Sequence, residues 1–330
     1  MTLPLRSLLV AGLLIAKGFS QFSLAMDEVS VTVAVSDEYG KPVSNATVSM
    51  AFYQPKSLNV WDGLNSKNIS GTTGTNGMFT ATEKTVDRIG FAVDRQEYYR
   101  SEDVCRLQID RRGKTSPLVF TTNVVIRRKG NPIPMYAKNF AGMKQLPVAG
   151  APIGYDLLAG AWTAPYGNGN VADIVFGLER NYTSSSDYAA TLSIAVTRDQ
   201  DGFAPIADRD TVAQSLFRFP RQAPENGYSE TNIVLTVSDH SGQGERRSCS
   251  TPSQNLFFRV RTEVDENGRI KKALYGKLIG PIECGLHDTK TGKLRLTYYV
   301  NPDPNNRNLE FDPEKNLFKN LEWFEQVKEP

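Results

Sequence analysis

The chain of 330 residues carries 38 Lys and Arg against 36 Asp and Glu, a formal net charge of +2, and is 40% hydrophobic. That length accommodates roughly two domains of ordinary size, and the apolar content is enough for real cores, which excludes a disordered chain. A charge this balanced gives no sign of nucleic acid or an acidic membrane surface as a partner. The short clusters Arg111-Arg112, Arg127-Arg128-Lys129 and Arg246-Arg247 read as solvated strand ends.

At the start, Arg6 precedes a mostly apolar run from Ser7 to Ala16, and Ser23-Leu24-Ala25 sets small residues at A-x-A spacing. This is the layout of a secretory signal peptide over residues 1–25, cleaved between Ala25 and Met26. The run stops at Lys17, short of the about 20 apolar residues a membrane span needs; its alternatives are an N-terminal anchor or a buried helix. No later segment is apolar for long enough to cross a membrane, and no cysteine follows the cut. The expectation is a chain that works outside the cytoplasm, secreted, periplasmic or extracellular, without a transmembrane segment or lipid anchor.

From Val29 the pattern alternates, with Val31, Val33 and Val35 apolar and Thr32 and Ser36 polar, the period of a half-buried strand. Asp37 to Val43 supplies a turn in which Gly40 is free to take positive φ and Pro42 presets the exit. A second alternating run spans Ala46 to Phe52, and after a polar excursion Asn76-Gly77 marks a hairpin turn. Further strands are expected at Met78 to Ala81, Ile89 to Val93, around Cys105, and from Val119 to Ile126. Short strands at this spacing predict a β-sandwich over residues 26–130.

The residues Asp37-x-x-Gly40-x-Pro42-Val43-x-x-Ala46-x-Val48, then Thr73-x-x-Asn76-Gly77-x-Phe79, then Tyr98-Tyr99 resemble the carboxypeptidase regulatory-like domain, a transthyretin-like sandwich close to bacterial Ig-like repeats. The resemblance covers residues 28–105 and rests on turn chemistry and alternation. It implies an accessory sandwich of the kind found beside peptidases, in surface proteins and ahead of outer-membrane receptors. Gly74 stands where the family's turn usually has an acidic residue, which argues against a metal there. A zinc carboxypeptidase is not implied either, because His240 and His287 are the two histidines and neither lies in H-x-x-E or H-E-x-x-H.

Residues 131–165 read as an extended connector, since Pro132 and Pro134 push their predecessors out of the helical region. A second β-rich domain is expected over 166–311. Its strands are Ala172 to Leu178, Ala190 to Val196, Asn232 to Val237, and an antiparallel meander from Leu256 that turns at Asn267-Gly268 and returns through Leu294 to Val300. This half resembles exported bacterial β-proteins of no assigned function. Residues 312–330 form a tail in which Asp312 as N-cap and Pro313 at the first position predict a short helix. The fold class is therefore all-β, two successive β-rich domains with a short terminal helix.

Three cysteines, Cys105, Cys249 and Cys284, are too few for a disulfide scaffold. In an oxidising compartment Cys249 with Cys284 is the favoured pair, beside the alternative of three buried thiols. Asp239-His240-Ser241 holds the letters of a triad, but sequence neighbours cannot form its relay of hydrogen bonds. Asp199-x-Asp201-Gly202 begins like a calcium loop and then breaks register at Phe203, and Asn301-x-Asp303-x-Asn305 is stiffened by Pro302 and Pro304; both read as turns. No cofactor or metal is expected.

Loop aromatics suit sugar or peptide recognition, and the candidates are Trp61, the pair Tyr98 and Tyr99, and Trp162 and Tyr166 beside the glycine-rich 167–170 turn. The first functional expectation is an exported, non-catalytic binding or accessory protein whose partner is a glycan or a surface protein. The alternative is a secreted polysaccharide hydrolase, which needs only two carboxylates about 5 to 10 Å apart. Glu263 and Glu97 are each eligible, with nothing in the sequence to single them out.

Overall fold

The computed structural model describes residues 26–55, 63–110, 114–140, 144–184, 186–240, 245–247, 250–251, 255–285 and 291–330. The fold is all-β, as the alternation predicts. In the first part of the chain the strands are β1 (Asp27–Asp37), β2 (Thr47–Pro55), β3 (Leu64–Thr72), β4 (Met78–Thr85), β5 (Arg88–Asp94), β6 (Tyr98–Tyr99), β7 (Ser101–Arg106), β8 (Gln108–Ile109), β9 (Thr115–Ser116) and β10 (Val119–Arg128). They form a β-sandwich of two four-stranded sheets, β4-β1-β10-β6 and β3-β2-β5-β7, with β8 and β9 as a separate ribbon. β1 runs parallel to β10 and antiparallel to β4.

The alternation of β1 places Val29, Val31, Val33 and Val35 in the core, against Val48, Met50 and Phe52 of β2 and Ile89, Phe91 and Val93 of β5. The turn after β1 closes on Asp37, whose Oδ1 accepts from Tyr39 N and Lys41 N, with Gly40 at φ 78°. Gly77 adopts φ 75°, and a Cβ there would lie 2.6 Å from Val35 O, so only glycine fits the approach of this turn to β1. Thr73 joins the two turns: its hydroxyl donates to Val43 O and accepts from Ala46 N. The motif residues are therefore turn and strand-end chemistry.

The second part contains β11 (Tyr136–Asn139), β12 (Lys144–Gln145), β13 (Ile153–Asp156), β14 (Ala161–Trp162), β15 (Ile174–Ser184), β16 (Asp187–Val196), β17 (Gly202–Pro205), β18 (Asn232–His240), β19 (Glu245–Arg247), β20 (Ser250–Thr251), β21 (Leu256–Val264), β22 (Ile270–Gly285) and β23 (Lys293–Asn301). One sheet runs β14-β13-β15-β16-β18-β19; the other runs β11-β23-β22-β21-β17, with β12 on β23 and β20 on β22. Between them lies a core containing Phe140, Tyr155, Trp162, Phe176, Phe258 and Tyr298. Tyr155 meets Trp162 edge-to-face at 5.0 Å and Phe140 at 5.2 Å. The β21–β22 turn is the one Asn267-Gly268 predicts: Gly268 has φ 76°, and Asp265 Oδ1 accepts from Asn267 N and Arg269 N.

Two segments differ from expectation. The stretch 131–165, read as a connector, contributes β11 to β14: β11 and β12 pair with β23, β13 pairs with β15, and β14 pairs with β13. Extended backbone imposed by proline is also what a short edge strand requires. In the tail, Asp312 accepts from Glu314 N and Pro313 opens the turn, but the helix is only the 3₁₀ turn Pro313–Lys315. The following backbone bonds to β11 and its approach: Leu317 N donates to Met135 O, and the Asn316 side chain brackets the Ala137 peptide groups.

That tail and the 206–230 loop form a third layer on the outer face of the larger sheet. Phe219, Tyr228, Leu309, Phe311 and Val327 cover Ala273, Tyr275 and Tyr299 there. No described helix is long and apolar enough to cross a membrane.

Candidate functional site

The two sandwiches meet at a junction built around β6, β7 and the 212–221 loop. Glu102 N donates to Gln214 O and Leu216 N to Arg100 O, so the loop adds a ragged strand to the β7 edge. Phe217, fully buried, packs on Tyr99 with centroids 5.0 Å apart, and the Arg127 guanidinium lies 4.3 Å from its ring while donating to Phe217 O and Phe219 O.

Glu310 is the hub. Its carboxylate, without solvent exposure, accepts from the Tyr99 hydroxyl at 2.9 Å, from Gly130 N at 2.8 Å and from Asn131 N at 2.9 Å, and it pairs with Arg221. Burial raises its pKa, but Arg221 and the hydrogen bonds outweigh that, and the net displacement is downward. The Tyr99 hydroxyl is displaced upward, by burial first and then by its bond to Glu310. A Cβ on Gly130 would lie 2.5 Å from Arg221 Nη1 and 2.8 Å from Glu310 Oε2, so a side chain there would have to displace the ion pair.

Beside this hub opens a cleft of about 860 Å³ between the sandwiches. Tyr98 gives it aromatic surface, Tyr99 and Phe311 line it while 8% and 0% exposed, and Arg95, Lys129 and Lys328 line it as cations. The turn that presents Tyr98 is tight: Glu97 takes φ 69° and Tyr98 N donates to Arg95 O. Arg95 stacks 5.4 Å from the Tyr98 ring and Lys129 Nζ lies 5.8 Å from the Tyr99 ring. Of the lining carboxylates, Asp94 is held by Arg100 at 3.0 Å and Asp312 by Lys315 at 2.9 Å. Lys129 and Lys328 have no carboxylate partner among the described residues.

Of the residues singled out from the sequence, Tyr98 and Tyr99 meet in this cleft. Trp162 does not belong to a loop surface. It is 6% exposed and packs edge-to-face on Tyr155 and Phe176, and Gly167 and Gly169 let the following turn fold back onto its backbone. Tyr166 is 46% exposed on that turn, away from the lining of the cleft. Trp61, Cys249, Ser241, His287 and the proposed signal segment through Ala25 lie outside the described residues, and Met26 is the first described. Cys284 is buried on β22, and Cys105 is half-buried on β7 with its thiol pushed up by burial.

The remaining candidates resolve into structural roles. His240 Nδ1 lies 2.9 Å from Asp187 Oδ1 across the β16–β18 pair. Asp201 is buried and accepts from Thr262 N, with burial pushing its carboxyl up. The Asn301 amide donates to Asn306 O and Asn308 O, and Asn305 clasps Lys271 O and Ala273 N. Glu97 pairs with Arg128 and Glu263 with Lys272, in different sandwiches. Among the described residues no group of three His, Cys, Asp or Glu side chains is placed to hold a metal ion.

Sequence reasoning missed Glu310, the fully buried Lys277, and Arg261, which at φ 55° binds Asp173 at 2.7 Å and Asp156 at 2.8 Å. Leu309-Glu310-Phe311, a carboxylate between two apolar residues just past a strand, is the one local signal that pointed to the hub.

No family model and no curated protein matches the chain. Among solved structures, it is similar to the major pilin subunit BcpA of Bacillus cereus, with 12% identity over 84% of this chain and 96% of that one and a TM-score of 0.22. It is similar to the full-length major pilin SpaD of Corynebacterium diphtheriae, with 8% identity, 86% and 84% covered, and a TM-score of 0.24. It is also similar to the 3-chlorocatechol 1,2-dioxygenase of Rhodococcus opacus 1CP, with 10% identity over 32% of this chain and a TM-score of 0.24; that match spans 61% of the dioxygenase. Likeness at these scores carries no argument about what this chain does, so the reading rests on its own residues.

Proposed function

We propose that the chain is an exported, non-catalytic binding or accessory protein of the cell envelope or extracellular space, and that it takes its ligand in the cleft between its two sandwiches. The observation that carries this reading is the cleft surface: the half-buried Tyr98 and the largely buried Tyr99 beside two ammonium groups, Lys129 and Lys328, that pair with no described carboxylate. Flat rings give contact area at low entropic cost, and cations beside them supply orientation.

Two of the cleft's carboxylates, Asp94 and Asp312, are engaged by Arg100 and Lys315, which leaves Glu314 as the lining carboxylate side chain without an ion pair among the described residues, while a glycosidase needs a working pair. The charge and apolar layout of residues 1–25 supports export, and the Asp37 to Phe79 motif supports a carboxypeptidase regulatory-like origin for the first sandwich. The ligand is a glycan or a segment of a surface protein.

A screen of the purified chain against acidic and neutral glycans and isolated envelope proteins tests this. Binding is expected, and Tyr98→Ala or Lys328→Ala should weaken it about tenfold. Release of reducing ends from a bound polysaccharide selects the hydrolase instead, and binding indifferent to both variants removes the cleft.

A further inference from the structure

A second groove, of about 710 Å³, opens where the β21–β22 hairpin meets the 223–230 loop and the turn after β23, and it shares no lining residue with the interdomain cleft. Among its lining residues, Arg259, Tyr228 and Tyr275 are each more than nine-tenths buried.

Arg259 is the unusual group. Its Nε and Nη2 donate to Gln200 O and its Nη1 to Glu225 O, and its guanidinium lies 4.6 Å from the Tyr228 ring. Among the described residues no carboxylate pairs with it. A guanidinium has five N–H donors, so these three bonds leave two of them unused, and the charge meets carbonyl dipoles and a ring face but no carboxylate among the described residues. As a clasp between two backbone carbonyls, Arg259 is explained for three donors only; burying a charge with no counter-ion is costly.

The surroundings point the same way. Arg307 lines the groove and pairs with the one carboxylate side chain there, Glu225, at 3.1 Å, and that carboxylate is exposed. The groove therefore holds two guanidinium groups to one carboxylate side chain. The Tyr275 hydroxyl makes no hydrogen bond among the described residues, and Asn226 and Ser229 add exposed polar side chains to the walls.

We propose that this groove binds an oxyanion, held by the spare donors of Arg259 and Arg307 with the Tyr275 hydroxyl as a further donor. The planar fork of arginine matches a carboxylate or a sulfate face, which a lysine in its place would not. The oxyanion is either a free inorganic ion or a group carried on an acidic polysaccharide, and titration separates the two. This inference does not rest on the interdomain cleft.

The test is calorimetric titration of the full chain at fixed ionic strength with sodium sulfate, with galacturonate oligomers, and with neutral galactose oligomers as a control. At least one anionic probe is expected to bind and the neutral oligomer not to. Arg307→Gln should weaken binding about tenfold or more, and the conservative Tyr275→Phe should weaken it several-fold without disturbing the packed ring. Equal affinity for sulfate and for the oligomer identifies a free-anion site; preference for the oligomer identifies the polymer-borne group. Absence of binding by both anions, or equal affinity in the parent and both variants, overturns the proposal. So does loss of anion binding in Tyr98→Ala with retention in Arg307→Gln, which would place the anion in the interdomain cleft and leave the reading of that cleft intact.

Discussion

Replacing Lys277 by methionine should make the protein more stable at mildly acidic pH and less stable at alkaline pH. Lys277 is fully buried on β22; its Nζ lies 4.3 Å from the Tyr299 ring and donates to Leu309 O at 3.3 Å and Pro330 O at 3.4 Å. Burial first, and then the charge of Arg127, push its pKa down from 10.5 to about 7. At about 1.4 kcal/mol per tenfold change in proton affinity, that displacement is about 5 kcal/mol of penalty on the ammonium form. The sign follows from proton counts. Between pH 7 and 10.5 the unfolded chain holds a proton on this lysine that the folded chain has lost, so folding gains stability as pH rises through that window. Below it both states are protonated and the penalty is present in full.

Methionine keeps the length and drops the charge, but leaves two carbonyls short of a donor, at about 1 kcal/mol each. The variant should therefore gain about 2–3 kcal/mol at about pH 6 and lose about 1–2 kcal/mol at about pH 10. Urea denaturation of the parent and Lys277→Met at both pH values measures the difference, in which every other titrating group cancels. A parent-to-variant difference that is the same at both pH values refutes the reasoning.

Other outcomes follow from the buried ion pairs. Glu310→Gln keeps the shape of the hub but removes the buried partner of Arg221, which is 28% exposed and keeps Glu38 at 3.5 Å, and should cost about 1–3 kcal/mol by denaturant titration at neutral pH. Because the Glu310 pKa is lowered on folding, the parent holds this contribution above the ordinary carboxylate value near 4.5 and loses it as pH falls through the folded value; the gap between parent and variant should close in acid. Arg261→Ala strands two carboxylates, Asp156 and Asp173, that are 4% and 2% exposed, and should cost about 3–5 kcal/mol.

What the sequence disclosed was local. The alternation of Val29 to Val35 and the turns at Asp37, Gly40 and Asn76-Gly77 depend on neighbours within a few positions, and the structure places them where that chemistry requires. Tyr98 stands half-buried at a turn, as the glycine-free Gln96-Glu97 step allows with Glu97 at φ 69°. Trp162 misled because glycines beside an aromatic look the same whether the turn opens to solvent or folds back over the ring, and here Gly167 contacts the Trp162 backbone. Glu310 and Lys277 were opaque for a different reason: Glu310 meets Gly130 across 180 residues of chain, and no window of sequence contains both. The third layer was equally hidden, since the 206–230 loop and the tail cover the larger sheet without a period of their own. Its one trace is the nearly continuous burial of β21 and of Ala273 to Leu278, where a sheet with one wet face would alternate.

The junction and the cleft are mechanically one object. Tyr99 faces the cleft and, through its hydroxyl, bonds to Glu310; Phe311, the next residue along, lines the same cleft. The β7 edge, an open row of peptide groups in an isolated sandwich and a hazard for strand pairing, is covered here by Gln214 and Leu216 of the other half. Neither sandwich alone therefore carries the cleft, and separating them would uncover an edge strand and take the Tyr99 hydroxyl away from Glu310. A binding surface assembled this way is preorganised by the same contacts that fix the two halves, so a ligand there loses little in ordering side chains. That coupling also means the cleft should weaken when Glu310 does: in acid, the loss of the Glu310 charge loosens the support beneath Tyr99 before either sandwich core is touched.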